Sequence, residues 1–567
     1  MLVPVVKLLN IVDRRAILEG GAAATFLGAT GLSAQTMTAP GATLSNLKVS
    51  ITLDGAVYNY PGGPRIPSYY VEFRQDGRIV FHHGALGDLT KPTSTVKPYH
   101  LGPHHVRIEG DGKLLFEADI GAHWWNARWT YRPAAIAVAR TPAQIVASNR
   151  MFPFGDTGCK VDIRANYTFK GPMDSAGITI YMPTTGERPD IGLITDPSAI
   201  FMLGGSPQSM IAWAQANDSC PLHFRDEATG KPIDLLRYPG ANAADLPGIQ
   251  GAPWLPKGQP DVRAPAYTAY GGGWQPQQAH FCEMSYVAYL ATLDPIFLEN
   301  LQYNANFTVL ADGWESSKRG IATIYGEYRG VAWAFRNLFM AHAATQDAEA
   351  RGGLAATCHP SSYWKKLLDN QLSYYNRRMT DPNWSLWRLV LTDGMWAPWQ
   401  HDYMMTALAL GVLTGHSDWT PLYLWALGNV IARTNGTSGF PPGYGTPYYM
   451  GIGPNGGGSP RFKSWAEAFE EIKNSADPNI HNTGLTQAVY DRLKADPLNG
   501  GKAFAGQEYM LTTRATLVMA DYLDKKGLAQ VRATYPDFDG CLYNAHKMVL
   551  AGGYVNPRVS VISNVKG

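Results

Sequence analysis

The chain holds 567 residues, enough for two large domains or several average ones. Lys+Arg 48 against Asp+Glu 46 leaves a net charge of +2, which excludes a nucleic acid or an anionic membrane surface as a charge-driven partner. Charged residues are only 17% while aromatics reach 11%, with 16 Trp and 30 Tyr, so disorder is excluded in favour of a large packed body with long ordered loops. No apolar run approaches the ~18 residues of a bilayer-spanning helix, so no membrane anchor is expected in the mature chain.

The first 34 residues read as a removable export signal. Asp13-Arg14-Arg15-Ala16-Ile17-Leu18 is followed by a mildly apolar Gly/Ala stretch and the small-residue exit Leu32-Ser33-Ala34-Gln35. The paired arginines resemble a twin-arginine signal, although Glu19 departs from the Lys often found there. That resemblance implies passage through the twin-arginine translocon as a folded protein, and a periplasmic or secreted location. The five cysteines form no Cys-x-x-Cys pair, so zinc-ribbon and thioredoxin chemistry drop out, and buried single thiols are the expected state.

From Leu44 to about Leu193 the pattern alternates. Val49–Leu53, Tyr69–Phe73, Arg78–Phe81, His105–Ile108, Leu114–Ala118 and Gly177–Tyr181 read as short strands. They are separated by Asp76-Gly77, Glu109-Gly-Asp-Gly112 and Pro172-Met-Asp turns. An antiparallel β-sandwich over 35–193 is the expectation. The segment His123–Trp129 reads as packing on a sheet face, with Arg128 stacked on an indole. His82-His83 and His104-His105 are not expected to chelate metal, because adjacent strand residues face opposite ways.

From about Asp196 the period turns helical. Met284–Leu293, Tyr328–Ala344, Tyr403–Leu413 and Tyr509–Leu523 are apolar nearly all round and must be covered on every side. Trp364, Leu367, Leu368, Leu372 and Tyr375 instead form one stripe, and Pro421–Arg433 and Leu485–Leu493 show weaker stripes. All-apolar and one-faced helices thus alternate, in about six hairpins over 194–567. That alternation, behind a strand-rich segment, resembles the six-hairpin (α/α)6 toroid superfamily of glycoside hydrolases and polysaccharide lyases. The resemblance implies an α+β multidomain fold, a sandwich followed by a toroid whose inner helices share one rim.

Two connections exceed what joining helices requires. Ser219–Gln278 carries Trp274, and Asn435–Pro460 carries Tyr444 and Tyr448. Loops beyond about 15 residues in a compact domain are generally functional or disordered, and these are aromatic and nearly uncharged. Aromatic rings suit the C–H face of a sugar, so the loops read as subsites, with plugging of the sandwich–toroid junction as the alternative.

Polar groups gather where the all-apolar helices begin: His280 and Glu283, then Glu327 and Arg329, then Trp399, Gln400, His401, Asp402 and Tyr403, then Glu508 and Tyr509. Carboxylates there also cap exposed N–H groups. Hydrolysis needs one carboxylic acid and one carboxylate, roughly 6.5–9.5 Å apart in inverting enzymes. Asp402 and Glu508 are the preferred pair, with Glu327 and Glu283 as substitutes; His280 and His401 complete the catalytic candidates. Arg329, Trp274, Trp399, Gln400, Tyr403, Tyr444, Tyr448 and Tyr509 are the substrate-binding candidates. The expected partner is a polysaccharide or oligosaccharide. β-Elimination on a uronic-acid glycan, with His or Tyr as base and Arg on the sugar carboxylate, is the alternative, and non-catalytic glycan binding a second one. No cofactor or metal is expected, since Gly271-Gly-Gly273 lacks a phosphate-loop context and no Gly-x-Ser-x-Gly elbow occurs.

Overall fold

The computed structural model describes residues 46–84, 100–155, 166–183, 191–239, 241, 274–311, 321–324, 327–381, 395–444, 446, 450–451, 463–474, 487–497 and 510–552. It is a mixed α+β chain in which antiparallel sheets precede a helical region.

The strands are β1 (Lys48–Leu53), β2 (Ala56–Tyr60), β3 (Tyr69–Phe73), β4 (Ile79–His83), β5 (His100–Leu101), β6 (His104–Gly110), β7 (Lys113–Ile120), β8 (His123–Trp124) and β9 (Ala127–Tyr131). One sheet has the order β2-β1-β6-β7 and another β3-β4-β9, while β5 and β8 pair separately. Two hairpins turn on Asp-Gly: Asp54 (φ 50°) with Gly55 (φ 80°), and Asp111 (φ 50°) with Gly112 (φ 76°). Left-handed backbone at both central positions matches the twist of the strands it joins, and Asp-Gly tolerates it well. Along β6, His104, Val106 and Ile108 are buried while the residues between are half-exposed. The register sets Ile108 opposite Val49 and Val106 opposite Ile51. These meet Ile79, Phe81 and Trp129 of the second sheet in one apolar cluster. Phe81 and Trp129 stack with centroids 3.8 Å apart.

Two expectations for this region need correction, one of a strand and one of a stacking partner. Gly177–Tyr181 forms no strand: Ala176 and Gly177 both have positive φ (49° and 85°), and only an isolated bridge from Tyr181 to Gln275 results. Ile178 there joins the helical core instead. His123–Trp129 contributes β8 and the start of β9, and Arg128 lies over the ring of Tyr303, 5.8 Å from its centroid, rather than over an indole.

The helices follow: α1 (Pro142–Ala147), α2 (Asp196–Met202), α3 (Gln208–Ala216), α4 (Tyr286–Thr292), α5 (Pro295–Leu310), α6 (Tyr328–Ala350), α7 (Ser361–Tyr375), α8 (Pro398–Leu413), α9 (Thr420–Thr434), α10 (Trp465–Asn474), α11 (Gln487–Ala495), α12 (Met510–Lys525) and α13 (Phe538–Gly552). Among the described residues, the helices of seven residues or more after α1 succeed one another as six pairs, α2/α3 through α12/α13, with four-residue helical turns at Arg377–Thr380 and Val531–Thr534 besides. Helix α6 is buried along nearly all its length, whereas α7 buries Trp364, Leu367, Leu368 and Tyr375 and leaves its other face wet. At Gly411 of α8 the ring of Phe339 from α6 comes so close that a Cβ would lie 2.5 Å from it.

Contacts set the direction of the buried helices. Arg336 of α6 bonds the Phe281 carbonyl just before α4, and Asp347 further along α6 meets Tyr289 of α4. Tyr328 and Phe339 of α6 meet His401 and His416 at the two ends of α8. Thr513 at the start of α12 bonds Asp402 at the start of α8. Therefore α4, α6, α8 and α12 run the same way and begin at one end of the helical region.

Helix α5 has no counterpart in the expected pattern. Its Glu299, Asn300, Gln302, Asn304 and Asn306 interrupt any apolar stripe, yet every residue from Ile296 to Leu310 is buried. Burial of these groups requires partners, and Glu299, Asn300, Gln302 and Asn306 have them, while Asn304 Oδ1 finds none among the described residues. From β9, Arg128 donates to Asp218 (2.9 Å), Glu299 (2.7 Å), the Ile296 carbonyl (2.9 Å) and Asn300 (2.7 Å). Arg74, next to β3, adds a second cation 3.0 Å from Glu299. Glu299 and Asn300 thus mark where α5 meets the sheets, while Gln302 donates to Thr345 of α6 (2.9 Å) and Asn306 to the Ile233 carbonyl (2.6 Å). Cys220, Cys282, Cys358 and Cys541 are buried free thiols; Cys159 lies outside the described residues.

Candidate functional site

The common end of α4, α6 and α8 gathers His280, Glu327, Arg329, Trp399 and Gln400. Each comes from a short polar run before or just inside a buried helix, where the chain must leave the core and backbone N–H groups have no intrahelical partner.

Arg329 is the hub, with its side chain 9% exposed. Its Nη2 donates to His280 Nε2 (2.8 Å) and Glu327 Oε1 (3.1 Å), and its guanidinium sits 5.3 Å from the centroid of the Trp399 ring. Gln400 Nε2 donates to the same Glu327 Oε1 at 3.1 Å. A guanidinium only donates, so His280 accepts at Nε2 and is neutral, with its proton on Nδ1 directed to Gln277 Oε1. Glu327 keeps 46% of its side chain exposed, and its Oε2 takes no hydrogen bond among the described residues. Trp399 packs edge-on against Tyr403, which leans on Trp333.

The other expected site residues go elsewhere. Asp402 follows Gln400 by two positions, about 200° around the helix, and so turns away from it. Its carboxylate is fully buried, paired with the equally buried Arg433 of α9 and accepting from Thr513 of α12. Burial pushes its carboxyl above the usual carboxylate range, with Arg433 and Thr513 pulling the other way. The expected catalytic role of Asp402 gives way to that of a core tie between three helices. His401 is also fully buried, its Nδ1 accepting from Tyr328 Oη (3.0 Å) and its Nε2 donating to the Ala426 carbonyl (3.2 Å). Glu283 is 2% exposed; it accepts from the Tyr286 backbone N–H and from Ser198 Oγ at 3.3 Å, and burial pushes its carboxyl up. It is a helix cap, and none of these three groups reaches solvent to meet a substrate.

Trp274 and Tyr444 are plugs rather than subsites. Trp274 is 2% exposed within the main helical core, and Tyr444 is fully buried against Phe440 and Phe469. Neither ring has a free face for a sugar. Glu508, Tyr509 and Tyr448 lie outside the described residues. Among the described residues, no group of three His, Cys, Asp or Glu is placed to hold a metal ion. Nor is any helix there long and apolar enough to cross a membrane.

Sequence reasoning missed Gln277, Gln278 and Gly330. Gln277 orients His280, while Gln278 donates to the Thr308 carbonyl (2.6 Å) and places its Oε1 2.7 Å from where a Cβ of Gly330 would be. The signal was the polar run Gln277-Gln278-Ala279-His280 itself, read only for its histidine.

The arrangement presents a reachable carboxylate beside a guanidinium, a neutral imidazole and an amide. Such a set can activate a water or hydroxyl group and bind oxygen-rich ligands. No family model, no curated protein and no solved structure matches the chain.

Proposed function

We propose that the protein is an exported carbohydrate-active enzyme, a β-sandwich followed by an (α/α)6 toroid, which hydrolyses glycosidic bonds at the rim where its buried helices begin. The toroid reading is supported by the six helix pairs and by the common direction of α4, α6, α8 and α12. The cleavage reading is carried by one observation: Glu327, half-exposed, accepts from both Arg329 and Gln400 on one oxygen and keeps the other for a water molecule. Glu327 takes the role first expected of Asp402, that of base or nucleophile. A facing carboxylic acid completes the reaction, and Glu508 is the residue to test for it.

A second reading, β-elimination, is favoured by the Arg329 guanidinium beside the neutral His280 (2.8 Å), a cation that suits a uronate carboxylate next to an imidazole that can take a proton. A glycan panel separates the two. Hydrolysis releases reducing ends without ultraviolet absorbance, and elimination adds the absorbance of an unsaturated uronate. Glu327→Gln should lower turnover by about 10²–10⁴-fold with the unfolding midpoint unchanged. Full activity in that variant removes Glu327 from the chemistry. Glycan binding without cleavage by the wild-type chain overturns the enzyme reading altogether.

A further inference from the structure

A cavity of about 260 Å³ lies away from the rim, where the sheets meet the α4–α5 turn. Four charged side chains form its polar wall in alternating order. Asp76 pairs with Arg78 (3.1 Å), Arg78 with Asp294 (3.2 Å), and Asp294 with Arg132 (3.5 Å). The Pro133–Ala139 segment, including Ala135 and Ile136, supplies most of the apolar lining. That segment is held by the Ala139 and Arg140 backbone N–H groups, both donating to the Ala291 carbonyl (2.7 and 2.9 Å).

Arg132 is the anomaly. Its side chain is only 7% exposed, yet its contacts to carboxylates are long, 3.5 Å to Asp294 and 4.0 Å to Asp218. Its Nε and Nη2 find no hydrogen-bond acceptor among the described residues. Lying over the Phe297 ring, 5.4 Å from its centroid, and only loosely tied to its carboxylates, the guanidinium can turn to meet an acceptor in the cavity.

The geometry points to a binding site for a single neutral sugar ring, separate from the rim and independent of whether the rim is catalytic. Two aspartates and two arginines give the wall no net charge, so an anionic ligand would meet as much repulsion as attraction. Vicinal hydroxyls both donate and accept, and so match alternating carboxylates and guanidiniums, while alanine and isoleucine face the C–H side of the ring. The volume falls below the roughly 300–1,000 Å³ of drug-sized pockets, which suits one ring and not a chain.

The test is saturation-transfer NMR on the full chain with methyl α-glucopyranoside, methyl β-galactopyranoside, glucuronate and inorganic phosphate as probes. A neutral glycoside should bind, and the signal should survive Trp399→Ala at the rim. It should disappear in Ala135→Trp, where an exposed alanine becomes a ring that fills the cavity without disturbing the core. Arg132→Lys, which keeps the charge and loses the fork, should weaken binding about tenfold or more. Absence of binding, a signal unchanged by Ala135→Trp, loss of the signal in Trp399→Ala alone, or stronger binding of glucuronate or phosphate would each overturn the assignment. None of these readouts depends on turnover, so failure here leaves the rim proposal standing, and the reverse.

Discussion

Replacing Asp402 separates a structural from a catalytic role. Asp402 and Arg433 both have fully buried side chains, and the carboxylate also accepts from Thr513. Asp402→Asn keeps the shape and removes the charge, leaving the Arg433 cation in the core with Asn429 (3.0 Å) and the face of Trp396 as its remaining described neighbours. Breaking a buried pair on one side costs about 3–5 kcal/mol, a large share of the roughly 5–15 kcal/mol by which domains are stable. Urea titration followed by tryptophan fluorescence should therefore show a markedly lower midpoint in Asp402→Asn. The double variant Asp402→Leu/Arg433→Met, which removes both charges, should recover much of the loss. Turnover per folded molecule should stay close to wild type, measured well below the unfolding midpoint. A wild-type midpoint combined with lost turnover in Asp402→Asn would refute this reasoning and return the residue to the active site.

Acid should destabilise the fold through buried neutral histidines. Burial lowers His342 and His223 to about 4 and His416 to about 3. The unfolded chain binds these protons near pH 6.5 and the folded one does not, so the stability is complete above about pH 6.5 and falls as the pH drops towards 4. Each histidine contributes about 1.4 kcal/mol per pH unit in that window, and the slope of unfolding free energy against pH should shrink in a His342→Asn/His416→Asn variant. Gly411→Ala should cost about 1–3 kcal/mol, because the new methyl group meets the Phe339 ring, and the thermal midpoint reports it. Thr141→Ala removes the capping box that Thr141 forms with Gln144 at the start of α1 and should cost about 1 kcal/mol in the same assay.

Patterns with a single cause were readable in the chain. The Asp-Gly turns and the alternation of β6 follow from local geometry, and α6 and α8 are apolar enough that only full burial accommodates them. Helix α5 was hidden because its polar residues serve partners far away in sequence: Arg128 and Asp218 lie well upstream, and no local period encodes them. The site divided along the same line. Glu327, Arg329 and Gln400, which the structure brings together, were legible as a group because polar side chains at helix starts are conspicuous in sequence. Asp402, one turn from Trp399, looked the same in one dimension, and only the arrival of Arg433 and Thr513 from other helices distinguishes it. Trp274 and Tyr444 show that aromatic richness in a loop does not tell a sugar platform from a plug, since burial alone decides.

The Arg128 tie has a consequence for dissection of the molecule. A fragment beginning after the strands would carry Asp218 and Glu299 with neither Arg128 nor Arg74 to neutralise these two buried carboxylates. The strand layers are therefore no detachable accessory. They supply the counter-ions that let a polar segment masquerade as core, and the two regions should melt in one cooperative step.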